Sequence, residues 1–255
     1  MTGAYRGTGV GIARALTAEG ATALVQGHEP GQADATVADL VAHGGRAMAV
    51  VGDIRTEAGA AALVADVRDR VERVDIVVNN YGVPEGTDWD ASATASWHAS
   101  YEHNVVSAVR ITQAFLPDMQ ANGWGRVVFV ATIGATRPGD RIPEYYAAKG
   151  ALPSVTVSLA KHVAGTGVTI NCVSPGVIAT AEVVDAATER LVQAGRPIAW
   201  ADVEQEILRR MGNPTGRVPR PEDVGRIVAF VVSEPAWHLN GAHLRVDGGA
   251  TGVVT

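Results

Sequence analysis

A phenol and an ammonium stand one helical turn apart in "YYAAK", where Tyr145 precedes Lys149 by four positions. On a helix that spacing places both side chains on one face. A nearby cation favours phenolate and draws a tyrosine pKa down from about 10 towards neutrality. Such a tyrosine can give a proton to a carbonyl oxygen or take one from an alcohol. The chain has only two lysines, Lys149 and Lys161, so the pairing is not a by-product of abundant lysine. Tyr146 follows at once, but a glycine stands four residues beyond it, and it points to another side of the helix.

A second constellation lies at the N-terminus, in "MTGAYRGTGVGIARAL". Gly3, Gly7 and Gly9 run into an apolar-periodic segment. Small residues let the backbone come close to a phosphate while N–H groups and the helix N-terminus face the anion. The spacing is G-x-x-x-G-x-G rather than the commoner G-x-G-x-x-G, so the turn alone is a weak sign. Its surroundings strengthen it. A helix and a strand follow, and Asp53 and Asn80 close later apolar runs. Ligands of open α/β sheets sit outside the carboxyl ends of the strands.

The elements that must carry these residues alternate along the chain. Strands are predicted over residues 21–27, 46–54, 75–82, 125–132, 168–176 and 242–250. Several are continuous apolar runs, as strands buried on both faces require. Helical spacing fills the gaps, including a long stretch over roughly 94–121 and another from near Tyr145 to near Gly165. This alternation predicts an α/β fold with a doubly wound parallel sheet. Without a repeat, linker or break in composition, one domain over 1–255 is the simplest division. About forty residues from 181 separate a strand from the next helix, and two helices with a turn at Gly195–Pro197 are expected there. Connections of this length are often lids, and a lid-like insertion at about 181–215 is predicted. Its Val183, Val184, Leu191, Val192, Ile198 and Trp200 suit either an apolar substrate body or packing of the lid itself.

Composition narrows the function. The 255 residues are 47% hydrophobic, enough for a cored domain, and the net charge of −6 comes without a basic run. A nucleic-acid surface is not expected on such a chain. No apolar run approaches the roughly 20 residues that span a bilayer, and no signal peptide is visible, so a cytoplasmic protein away from membranes is expected. The single cysteine, Cys172, has no disulfide partner and no neighbours for a metal cluster, and its β-branched surroundings predict a buried strand thiol.

The ordered series "TGAYRGTG", "GDI" (52–54), "NNYG" (79–82), "HN" (103–104), "YYAAK", "VSPG" (173–176) and "VDGG" (246–249) resembles the classical short-chain dehydrogenase/reductase family over essentially the whole chain. Each piece is weak alone, and their order and spacing together are specific. The resemblance implies a Rossmann sheet and hydride transfer between a nicotinamide cofactor and a carbonyl or secondary alcohol. It also implies a homo-oligomer, often a tetramer. Carried over by position, Tyr145 is the general acid/base, and Lys149 holds the nicotinamide ribose. Asn104 anchors a water that relays protons from Lys149. Gly3, Arg6, Gly7, Thr8 and Gly9 form the pyrophosphate turn. Asp53 and Ile54 flank the adenine, and Asn80 and Gly82 the adenosine ribose. Pro175 and Gly176 face the nicotinamide, and Thr180 binds its carboxamide.

Four departures stand out. The family's catalytic serine, thirteen residues before the tyrosine, is Thr132 here. Threonine keeps the hydroxyl, but its methyl stiffens χ1 and narrows the pocket. Tyr81 replaces the small residue of the "NNAG" turn, with its ring either near the cofactor or at the surface. An acid at the end of the second strand would bind a ribose 2′-OH, but this chain has Gln26-Gly27-His28 there. With Arg6 and His28 able to pair with a 2′-phosphate, NADP(H) is favoured over NAD(H); Glu29 as a ribose ligand is the competing reading. Finally, only Met1 precedes Thr2-Gly3, where the family has a whole strand. The expected sheet therefore has its first strand missing or truncated, from a start placed too late or a shortened chain. That gap and Thr132 leave open an alternative, a non-catalytic dinucleotide-binding sensor or defective paralogue.

Overall fold

The computed structural model describes residues 1–252. In chain order it contains α1 (Thr8–Ala18), β1 (Thr22–Gly27), α2 (Asp34–Ala42), β2 (Arg46–Val51), α3 (Glu57–Arg70) and β3 (Ile76–Asn79). There follow α4 (Thr94–Tyr101), α5 (Ser107–Ala121), β4 (Gly125–Val130), α6 (Pro143–His162) and β5 (Val168–Pro175). The described chain closes with α7 (Ala181–Gln193), α8 (Trp200–Arg210), α9 (Pro221–Val232) and β6 (His243–Val246).

Every residue of β4 and β5 is buried, which accounts for their unbroken apolar sequence. Successive side chains point to opposite faces. Val127, Phe129, Ile170 and Cys172 pack with Leu63, Ile111, Phe115 and Leu152 of α3, α5 and α6. Val128, Val130 and Val173 pack with Ile12, Leu16, Val224 and Val228 of α1 and α9. Full burial of such a side chain contributes about 1.5–3 kcal/mol, so both helical layers are held to the sheet. Local chemistry sets the helix ends. Thr56 accepts the Gly59 N–H at 3.0 Å to start α3, and Gly20, at φ +88°, turns the chain out of α1.

The ladders are parallel and fall into two pieces, β1–β2 and β3–β4–β5–β6. Between the pieces lie Met1 and Thr2, doing in two residues what a strand would do over more. The terminal ammonium donates to the Leu24 carbonyl at 2.9 Å. The Gln26 N–H donates to Met1, and the Thr2 N–H to Val78. Towards the amino ends of β1 and β3, a cavity of about 870 Å³ opens between α1 and α9, with Leu16, Ala21, Ile76 and Ala229 in its lining. Among the described residues, the expected gap in the sheet is therefore present, bridged by hydrogen bonds at its carboxyl end.

The expected helix over 94–121 is interrupted. A π-helical turn, Glu102–Val106, separates α4 from α5. Such one-turn bulges are rare and cluster at functional sites. The 181–215 segment forms α7 and α8 with a small core of Ala187, Leu191, Val203, Ile207 and Val218. Leu191 belongs to that packing and Val183 and Val184 rest against it, whereas Val192 and Ile198 stay exposed.

Candidate active site

One edge of the sheet gathers the chemistry. Asp53 follows β2, Asn80–Gly82 follow β3, Thr132 follows β4, and Pro175 ends β5 with Gly176 next. Parallel strands bring all these carboxyl ends to the same rim. Tyr145 and Lys149 come from the first two turns of α6, which starts at Pro143 after a left-handed Ile142.

The Tyr145 phenol lies beside the Thr132 hydroxyl, near enough for the two to interact, and that hydroxyl accepts the Gly134 N–H at 3.4 Å. Burial pushes the phenol up to about 12, and the Thr132 hydroxyl opposes that shift. Lys149 is 2% exposed. Its Nζ donates to the carbonyls of Val130 at 2.9 Å and Tyr81 at 3.2 Å. Loss of water pulls this ammonium down to about 8. The expectation that Lys149 lowers the Tyr145 pKa is thus corrected: two of the three ammonium N–H groups go to backbone carbonyls, and desolvation governs the phenol. Asn104, inside the π turn, accepts the Val83 N–H at 2.9 Å and donates to Ser100 and Val83 carbonyls. Gly82 is where this packing is tightest. A Cβ there would lie 2.5 Å from Lys149 Nζ and 2.9 Å from Asn104 Oδ1.

The glycine turn has the left-handed backbone that its composition foretold, with Gly3 at φ +58° and Gly7 at +59°. The Gly3 N–H donates to Gln26 Oε1 at 2.7 Å, and Gln26 Nε2 donates onward to the Gly52 carbonyl. Asn80 Nδ2 donates to the Thr2 and Gly3 carbonyls, and Gly9 lies close against Ala4 and Asn80. Thr8 opens α1. Across from Gly7 the nearest neighbour of a Cβ would be the Thr180 methyl, at 3.8 Å. Thr180 itself caps α7. The Gly176 N–H donates to the Val246 carbonyl at 3.0 Å, fixing the turn after β5.

At the far end of the turn, the Tyr81 ring stands edge-on to His28 with centroids 4.6 Å apart and covers Gly3. This settles the position of that ring. Burial pushes its phenol up to about 12. His28 Nδ1 is 3.4 Å from Asp53 Oδ1, and neither buried ring nitrogen makes a hydrogen bond among the described residues. Asp53 is gripped by Arg55 through both carboxylate oxygens, at 2.8 and 2.9 Å, which holds its carboxyl down at about 2. Arg6 turns to Glu182 of α7 at 3.6 Å. Ile54 is wholly buried in the core, so its side chain is unavailable to flank an adenine, and its carbonyl accepts from Arg110 at 2.9 Å.

These residues fit a dinucleotide. The turn leaves open backbone beside Gly7, two orphaned imidazole nitrogens wait at the adenosine end, and a phenol with a hydroxyl partner stands at the other. Among the described residues, no group of three or more His, Cys, Asp or Glu could hold a metal, and no helix is long and apolar enough to cross a membrane. Three contributors were missed in the sequence. Gln26 and Arg55 adjoin recognised positions but belong to no motif. Glu144, 1% exposed, directly precedes Tyr145; it accepts the Ser92 hydroxyl at 2.6 Å and its second oxygen is buried without a partner. Only its place in the first turn of a helix, where acids are favoured, could have drawn notice.

Residues 1–191 match the family profile described as short chain dehydrogenase. The D-beta-hydroxybutyrate dehydrogenase of Cupriavidus necator is 32% identical over 253 residues, covering 98% of this chain and 95% of its own. The crystal structure of L-sorbose reductase from Gluconobacter frateurii, complexed with NADPH and L-sorbose, superposes with a TM-score of 0.91 at 29% identity, covering 100% of this chain and 96% of that one. A 3-oxoacyl (acyl-carrier-protein) reductase from Agrobacterium tumefaciens with NADP bound gives 0.85 at 29% identity, covering 97% and 92%.

Proposed function

The chain belongs to the short-chain dehydrogenase family and is an oxidoreductase of CH–OH or C=O groups with a nicotinamide dinucleotide, and we propose that it prefers NADP(H) and uses Tyr145 as general acid/base on a small or medium carbonyl or secondary alcohol. The bound dinucleotide supplies or accepts the hydride. The chain's residues handle position and proton. A substrate oxygen seated at the Thr132–Tyr145 pair accepts hydrogen bonds from both hydroxyls. The raised Tyr145 pKa keeps the phenol protonated at neutral pH, as a donor to a forming alkoxide must be. Lys149, charged below about 8, reaches for the nicotinamide ribose, and Asn104 beside it anchors the water through which its proton is exchanged. Pro175, Gly176 and Thr180 border the nicotinamide, while Asp53, the Ile54 backbone, Asn80 and Gly82 border the adenosine. The observation that carries this reading is the juxtaposition of the Thr132 and Tyr145 hydroxyls beside a buried lysine, since a chain with no turnover needs neither.

The cofactor preference rests on what stands near the end of β1. Gly27 has no carboxylate to repel a 2′-phosphate, and His28 has a free ring nitrogen. Arg6 is held by an exposed pair with Glu182, a contact worth about 0–1 kcal/mol that a phosphate can replace, and its guanidinium lies over the Tyr5 ring at 5.7 Å. The NADP(H)-containing structures agree. Glu29 is exposed.

Nicotinamide absorbance followed with a panel of ketones tests the proposal. We expect kcat/KM for NADPH to exceed that for NADH by about tenfold or more, equivalent to about 1.4 kcal/mol, and Arg6→Ala with His28→Ala to erase the difference. Equal use of both by the unaltered chain would contradict it.

The described residues are read as one domain with α7–α8 as a lid over the substrate. The chain is further read as a cytoplasmic homo-oligomer, a tetramer by family resemblance. A groove of about 490 Å³ between α5 and α6, with Val109, Val155 and Leu159 in its lining, supports association of copies, which light scattering measures.

A further inference from the structure

We infer that the α7–α8 hairpin carries a phosphate site, built from four arginines fanned around one buried carboxylate. Glu206 has a side chain only 1% exposed. Arg190 Nε lies 3.3 Å and Arg210 Nε 3.7 Å from its Oε1. Arg209 and, at 4.0 Å, Arg196 approach its Oε2. One carboxylate balances one guanidinium, so three positive charges remain over. All four arginines keep solvent contact, with side chains 33%, 43%, 65% and 63% exposed for Arg190, Arg196, Arg209 and Arg210.

A clip between helices does not account for this number. Arg190 to Glu206 already ties α7 to α8, and Arg209 and Arg210 lie on the same helix as Glu206, where they join nothing further. Crowding like charges is unfavourable, and no other acid compensates. Glu182 is engaged with Arg6, and Glu204 accepts the Val218 N–H. Asp185, Glu189 and Asp202 are not within ion-pair distance of any of the four among the described residues.

Guanidinium forks match phosphate oxygens two by two, and each has five N–H donors, most of them unspent on Glu206. A phosphate dianion balances the excess better than a single carboxylate would. The fan also lies on the element that touches the glycine turn. Arg190 is eight residues beyond Glu182, which touches the glycine turn through Arg6. At 1.5 Å rise per residue that is about 12 Å along α7. The phosphate is either free or carried by the substrate. The site does not depend on which carbonyl is reduced.

Calorimetric titration with inorganic phosphate at constant ionic strength tests the site, with the chain saturated by NADPH so that the glycine turn is not a competing anion site. The unaltered chain should bind, and the Arg209→Ala/Arg210→Ala double variant should bind about tenfold more weakly or worse. Glu206→Gln, checked for fold by circular dichroism, should bind more tightly, because a competing negative charge is gone. No binding by the unaltered chain, or equal binding by the double variant, overturns the inference. A KM comparison between a phosphorylated ketone and its neutral parent then separates the sources. A rise in the double variant for the phosphorylated compound alone assigns a substrate-borne phosphate. Unchanged KM values beside weakened phosphate binding assign a free one. A chain that fails to bind NADPH fails the cofactor proposal, and the same variants titrated without cofactor still decide the anion site.

Discussion

Burial, more than charge, sets proton affinities around Tyr145 and Lys149. Because the folded pKa of Lys149 is lowered to about 8, its ammonium is present below that pH and lost above it. If the charged form holds the cofactor ribose, the NADPH dissociation constant rises about tenfold between pH 7 and 9. The Lys149→Met chain binds weakly with no such pH dependence. A flat profile for the unaltered chain would remove that role. Glu144 acts through its neighbours: it holds Ser92 and packs on Gly86, while the Ile142 N–H donates to Thr87, so the 86–92 loop is tied to the start of α6. Glu144→Ala should cost about 1–3 kcal/mol of stability and lower kcat more than it alters cofactor affinity. Glu144→Gln, which keeps an acceptor for Ser92, should recover most of the loss. Equal damage from both variants would place the need in the charge instead of the tether. The Tyr145–Lys149 spacing was legible because helical geometry alone brings such residues to one face. Glu144 was not, since its burial depends on a loop fifty residues away in the chain.

Elements with one local cause were read well, and those needing a distant partner were not. Valine-rich runs flanked by polar residues gave β3, β4 and β5 within two or three residues. The π turn inside the 94–121 stretch left no trace in the periodicity, because it answers to Asn104 reaching Val83 across the site. The two helices of the 181–215 segment were foreseen, but the division of their apolar residues between internal packing and exposure was not. Leu191, 1% exposed, anchors the α7–α8 core. Leu191→Ala should destabilise it by about 2–5 kcal/mol, raise the substrate KM and leave NADPH affinity unchanged. A proportionate loss of NADPH affinity would show that α7–α8 serves the cofactor instead of the substrate.

Across the whole molecule, alternation of elements foretold the succession of strands along the chain and the edge that bears the chemistry, while the divided sheet was expected from the family resemblance. What could not be foreseen is how little bridges it: backbone groups of Met1 and Thr2, reinforced by the Tyr81 N–H donating to Thr2 Oγ1. That last bond joins the bridge to the turn that carries Asn80 and Gly82. Loop ends from β3, β4 and β5 and the first turns of α6 thus converge, and the proposed proton transfer depends on their convergence. The most direct measurement is turnover of the Tyr145→Phe chain beside its NADPH dissociation constant. Loss of the phenol proton should lower kcat by about 100-fold to 10,000-fold, with the dissociation constant changed less than threefold. Turnover within tenfold of the unaltered chain would contradict Tyr145 as the acid/base.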